Sequence, residues 1–207
     1  MNDANSLSLH RLPAEASDLV KGLEVHPYLL AHLILVHDAA SRLVEGIGRK
    51  WPHLSLDAGL VCWGAAIHDI GKVEHPEEMT GPGREHHQAG VSILNVQGID
   101  DGRARFASTH GAWKGQDGLP LEDLLVSLAD VIWAGGRSKE LEDHITELLA
   151  ASDGRELWQT FMDLDDLLTE IAADGERRLV WQTQFAPDKD KSALGSLFSQ
   201  KSLFSQS

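Results

Sequence analysis

Ten consecutive residues without a charge, AGLVCWGAAI from Ala58 to Ile67, run directly into His68 and Asp69. A membrane span needs about twice that length of apolar chain, so this segment must find its apolar surroundings inside the protein. Asp57 just before it reads as a helix cap. The segment therefore reads as a helix apolar on nearly every side, which belongs at the centre of a domain. An ionised carboxylate at the end of such a helix is costly unless something compensates it. An arginine, a set of backbone donors or a metal ion would each do so. The plain alternative to a catalytic aspartate is a buried one held by helix-end or loop donors.

The surrounding chain has helical periodicity almost throughout. From Pro27, the residues Leu29, Leu33, Val36, Ala40, Leu43 and Ile47 recur at spacings of three and four, and the pattern ends near Gly46 and Gly48. A loop rich in proline and glycine, HPEEMTGPGRE, follows the central helix. Further helices are expected from His86 to Val96, from about Asp101 to His110, from Leu121 to Ala134, from Lys139 to Ala151 and from about Arg155 to Ala173. Only RRLVWQTQF, at 177–185, has strand flavour, and it could equally extend a helix. The last residues change to proline, aspartate, lysine and serine and repeat SLFSQ at 196–200 and 202–206, as a flexible or adventitious terminus would. The expected fold is all-α: a bundle of about five core helices with C-terminal helical additions. It divides into an N-terminal segment (1–24), a central domain (25–150), a helical extension (151–185) and a tail (186–207).

The 207 residues carry 18 basic and 32 acidic side chains, a formal charge of -14, and are 42% hydrophobic. Such a composition is that of a globular protein. A surface so acidic repels phosphate polymers, so neither a nucleic-acid polymer nor an anionic membrane is an expected partner. A phosphorylated small molecule would need a local patch of positive charge, which a metal ion supplies. The single cysteine, Cys62, excludes an intrachain disulfide, and no secretory signal is visible, so a soluble cytoplasmic protein is expected.

Eleven histidines are many for this length. His32 lies within the apolar face of the first long helix, where a lone histidine is more often a satisfied core residue than a ligand. His37, five residues on, lies about 140° around the helix and cannot readily share an ion with it. His86 opens a helix after the Gly/Pro loop, and His110 closes a short one; neither is unusual alone. Asp130 repeats the anomaly of Asp69: it stands in LLVSLADVIW, with no basic residue nearby in sequence. Two such aspartates held together would repel without a shared cation.

Taken together, these residues resemble the HD superfamily. GAAIHDIGKV is close to that family's central signature, an apolar helix ending in His-Asp followed by Ile-Gly-Lys. His32, Val36 and Ala40 reproduce the spacing of the family's first histidine, and His86 with Gly90 that of its third, while His87 is one residue off. His110 in ASTH and Asp130 in SLAD complete the order, so the resemblance spans about residues 26–135. It is similar to the six-ligand branch of metal-dependent phosphohydrolases, and implies that His32, His68, Asp69, His86, His110 and Asp130 are metal ligands. Asp69 would bridge two ions. Imidazole and carboxylate together suit one or two divalent transition metals (Fe, Mn, Co, Ni or Zn) rather than calcium.

The reaction implied is hydrolysis of a small phosphorylated metabolite or nucleotide by metal-bound hydroxide. Asp69 and Lys72 would be the catalytic residues, and Lys72 and Arg84 the contacts to substrate phosphate. The same ligand set also serves di-iron oxygenases of the superfamily that cleave C–C or C–P bonds with O2, and non-catalytic HD modules that sense a ligand. Cyclic-dinucleotide phosphodiesterase activity is not expected, because DGLP at 117–120 lacks the Gly-Tyr-Pro motif of those enzymes. Specificity is expected from the 74–85 and 111–120 loops and the C-terminal helices. His10, His26, His53, His75 and His144 read as surface or loop residues, the tryptophans as packing with Trp113 near the pocket, and Cys62 as a small core residue.

Overall fold

Pro27 stands in the first turn of the longest helix, where its missing N–H costs nothing, and the His26 ring accepts a hydrogen bond from the Tyr28 N–H at 3.1 Å. The computed structural model describes residues 7–114, 116 and 118–186. Asp117 of the DGLP segment and residues 187–207, which hold the SLFSQ repeats, lie outside the described residues.

The elements in chain order are α1 (Ala14–Gly22), α2 (Pro27–Lys50), α3 (Ala58–Ile67), two 3-10 turns (Ile70–Val73 and Pro76–Met79), α4 (Glu85–Val96), α5 (Asp101–Ala104), α6 (Phe106–Thr109), α7 (Leu121–Ile132), α8 (Lys139–Asp153), α9 (Leu157–Ala172) and α10 (Gly175–Thr183). Among the described residues there is no strand, and the architecture is the expected all-α bundle.

The uncharged segment is α3, and Asp57 caps it by accepting from the Leu60 N–H at 2.9 Å. It packs against α2 and α7, with Phe106 of α6 also against it, and Val61, Ala65, Ala66 and Ile67 are fully buried. Burial of Val61 and of Ile67 contributes roughly 1.5–3 kcal/mol each, and that of the two alanines less. That burial fixes where α3 ends, and so where His68 and Asp69 must lie.

The helix expected over 101–110 is interrupted at Arg105. Its guanidinium pairs with the fully buried Asp123 at 2.8 Å, and Thr109 Oγ1 donates to the same carboxylate at 2.7 Å. This ties α6 to the start of α7. The RRLVWQTQF stretch is helical: Arg178, Gln182 and Phe185 are its buried residues, at the i, i+4, i+7 spacing of a helix face rather than the alternation of a strand. Arg178 donates to the Ile171 carbonyl at 2.7 Å and lies 3.4 Å from Asp38 Oδ2, anchoring α10 to α2. Asp38 also pairs with Arg42 at 2.9 Å and with His10 Nδ1 at 2.7 Å. His10 thus tethers the N-terminal segment instead of standing free on the surface. His26 is a helix cap and also half-buried, as is His75, whereas His53 and His144 are exposed as expected.

A close approach explains one glycine of the HDIGK segment. A Cβ on Gly71 would stand 1.9 Å from the His86 carbonyl oxygen and 2.5 Å from the Gly90 nitrogen. Its absence lets the first 3-10 turn lie flush on α4, which brings His86 up to Asp69.

Candidate metal centre

Asp69 leaves α3 at φ -100°, ψ 13°, turning its carboxylate inward as the chain enters the 3-10 turn. Its two oxygens face different neighbours. On one side, His32 Nε2 stands 3.3 Å from His68 Nε2, 3.2 Å from Asp69 Oδ2 and 3.3 Å from Asp130 Oδ1. His68 Nε2 stands 3.6 and 3.4 Å from the same two oxygens. Donors bonded at about 2.1 Å to one tetrahedral ion stand about 3.4 Å apart, so each of these five distances is already close to that of neighbouring donors in a coordination shell. On the other side, His86 Nε2 and His110 Nε2 stand 3.2 and 3.4 Å from Asp69 Oδ1.

The remote ring nitrogens decide what the near ones can do. His68 Nδ1 lies 3.0 Å from the Ala65 carbonyl and His110 Nδ1 3.0 Å from the Phe106 carbonyl, so each must donate there. His86 Nδ1 donates to the carboxylate of Glu78. In the neutral rings all three Nε2 atoms are then lone pairs pointed at the centre, the arrangement of metal-ligating histidines. Asp69 Oδ1 and His86 Nε2 are buried and make no hydrogen bond. Two facing lone pairs with no proton between them are repulsive, and a cation between them removes that cost. The residues present therefore fit metal on both sides of Asp69.

Protonation equilibria reflect the same crowding. Burial opposes charge on His32, yet the facing carboxylates of Asp130 and Asp69 prevail and push it up to about 9. Burial would raise both aspartates, but the imidazoles hold Asp69 well below the usual carboxylate range, His68 foremost, and Asp130 is held low by His68 and His32. For His68 burial wins and the pKa is lowered; for His86 burial loses to Asp69 and Glu78 and the pKa is raised.

All six residues converge on one centre. Asp130, read as buried from its sequence setting, keeps 32% of its side-chain exposure. Lys72 reaches back across one turn to Asp69 Oδ2 at 2.5 Å. With His32 it lines a cavity of about 140 Å³ completed by Tyr28, Leu29, Met79, Trp133 and Gln182. Arg84 lies apart from this cavity: it is exposed at the start of α4. Trp133, not Trp113, is the tryptophan of the pocket, its ring edge-on to His32 at 5.1 Å.

Sequence reasoning missed Glu78, which sits in the Gly/Pro loop with nothing local to mark it. Its carboxylate also accepts from the Glu85 and His86 N–H groups at 3.1 and 3.3 Å, capping α4 while it orients the His86 ring. Gln182, which lines the cavity, was missed because α10 is remote in sequence.

Among the described residues, no helix is long and apolar enough to cross a membrane. No curated protein and no solved structure matches the chain. The family model for the HD domain matches residues 29–135, a span running from the start of α2 past the end of α7 that holds all six converging residues. With that match over half its length, the chain belongs to the HD domain family.

Proposed function

We propose that the protein is a metal-dependent phosphohydrolase acting on a small phosphorylated molecule, with one or two divalent transition ions held about Asp69. The observation that carries this reading is Asp69 itself: one carboxylate with imidazole lone pairs on each side and a lysine at its open edge. Bound divalent ions would clamp phosphate oxygens and acidify a water enough for hydroxide to exist near neutral pH.

The chain's own residues supply the rest. Glu78 and the carbonyls of Ala65 and Phe106 hold three imidazoles in the tautomer that presents Nε2. Lys72 is the cation at the cavity wall, placed to meet a phosphate oxygen and offset charge that builds during displacement. Leu29, Met79 and Trp133 give the cavity apolar walls, and Gln182 and Tyr28 give it polar ones. A site of this size, set in a chain of charge -14, suits a small anion brought in by local positive charge rather than a polymer.

The test is elemental analysis of the purified protein followed by a panel of nucleotides and small phosphomonoesters. Activity lost on chelation and restored by Mn or Co, and absent in Asp69→Ala, is expected. Full activity in chelated Asp69→Ala would overturn the proposal. So would an iron pair that consumes O2 with substrate and releases no phosphate.

A further inference from the structure

His87 follows a proposed ligand directly and has no role in the six-residue set. Its ring packs nearly perpendicular to those of both His86 and His110, with centroids 4.3 Å and 4.8 Å away. One donor atom from each of His86, His87 and His110 can be chosen so that all three lie within 4.8 Å of one another. Among the described residues no hydrogen bond engages the His87 ring nitrogens, and the ring is only half-buried. Its position depends on Gly111, where a Cβ would stand 2.9 Å from His87 Cε1 and 3.0 Å from Nε2. Any side chain at 111 would press on the Cε1–Nε2 edge of the ring.

We propose that His87 is an additional protein donor to the ion on the Oδ1 side of Asp69, making that shell Asp69, His86, His87 and His110. This inference rests on the two-sided reading of Asp69 given above. Donors at about 2.1 Å from one tetrahedral ion stand about 3.4 Å apart, so a movement of the His87 donor by up to about 1.4 Å brings it into bonding range. A half-exposed side chain supplies that by a small rotation.

The two sides of Asp69 then differ in kind. The Oδ2 side offers two imidazoles and two carboxylates and opens onto the cavity through His32 and Lys72. The Oδ1 side offers three imidazoles and one carboxylate, and none of its histidines lines that cavity. Three imidazoles and one carboxylate form a full tetrahedral set that selects for zinc, iron, cobalt or nickel over manganese and magnesium. Substrate would meet the ion on the Oδ2 side, while the other would be held by protein alone.

Cobalt(II) is the probe. Metal-free protein is titrated with Co(II) against a competing chelator, and bound metal is counted by elemental analysis, for wild type, His87→Ala and His87→Gln, with His144→Gln as an exposed-histidine control. Wild type and the control should bind two ions. Both His87 variants should keep one at unchanged affinity and bind the other about a hundredfold more weakly or worse, with loss of that ion's share of the visible Co(II) absorption. On the wild-type protein alone, paramagnetic NMR should show exchangeable N–H signals from five coordinated imidazoles. Four such signals, or two ions bound with wild-type affinity and spectrum in either folded His87 variant, would overturn the role of His87 and leave the two-ion reading standing. Wild-type protein that takes fewer than two ions would sink both.

Discussion

Glu78 lies against Nδ1 of His86, on the opposite edge of the ring from Asp69. A carboxylate in that position fixes the tautomer and makes Nε2 a better donor to whatever stands between it and Asp69 Oδ1. Facing His86, Glu78 is itself held below its usual pKa despite burial, so it stays ionised at neutral pH.

Replacing Glu78 with alanine should weaken binding of one ion by about 10–100-fold and lower the urea midpoint through loss of the α4 cap. Glu78→Gln keeps an oxygen that can still accept from Nδ1 and should fall between the two. Metal titration and urea unfolding on the same samples check this. Equal metal affinity in wild type and Glu78→Ala would mean that Glu78 only caps the helix.

Much of this centre was legible before any coordinates. The apolar run of α3 demands burial, so His68 and Asp69 had to sit at its inner end, and the helical spacing of α2 placed His32 on the apolar face with His37 about 140° around the helix from it. What was not legible depends on contacts between segments far apart in the chain. Glu78 meets His86 only because the loop folds under α4, and Gln182 reaches the cavity only because Arg178 pins α10 onto Asp38. Asp130 reads as buried because its neighbours are apolar, yet its side chain keeps part of its exposure in the fold. Arg84 reads as a phosphate contact from its place beside the Gly/Pro loop, but as the residue opening α4 it points its charge outside the cavity's lining.

Lys72→Ala should separate chemistry from metal binding. The ammonium touches Asp69 but is not a metal donor, so bound metal should be unchanged. The turnover number for phosphate release should fall about 10²–10³-fold, the range for removing one preorganised charge-stabilising donor. Equal loss of bound metal and of turnover in Lys72→Ala would show that its role is to hold Asp69.

Gly71→Ala tests the close approach between the 3-10 turn and α4. The atoms that the new methyl would strike are backbone, and cannot rotate away. The two segments must part, at a cost of about 3 kcal/mol, the upper end for overpacking. Because α4 carries His86, metal affinity should drop together with the urea midpoint. A variant as stable as wild type would show that the contact is looser than the 1.9 Å approach implies.

His37 offers a pH test away from the metal centre. It is 2% exposed, and burial, with the opposing charge of Asp38 and the like charge of His10 as smaller influences, pushes it down to about 4. An unfolded histidine titrates near 6.5. Between those values the unfolded chain binds a proton that the folded chain refuses, so stability is full above pH 6.5 and falls as pH drops towards 4, by about 3 kcal/mol in total. His37→Gln keeps a similar volume and cannot titrate. With chelator present throughout, so that metal release does not enter, the stability gap between wild type and His37→Gln should shrink steadily from pH 7 to pH 4. Carboxylates contribute equally to both proteins and cancel in the comparison. A gap that stays constant across that window would show that His37 takes up its proton within the fold as readily as outside it.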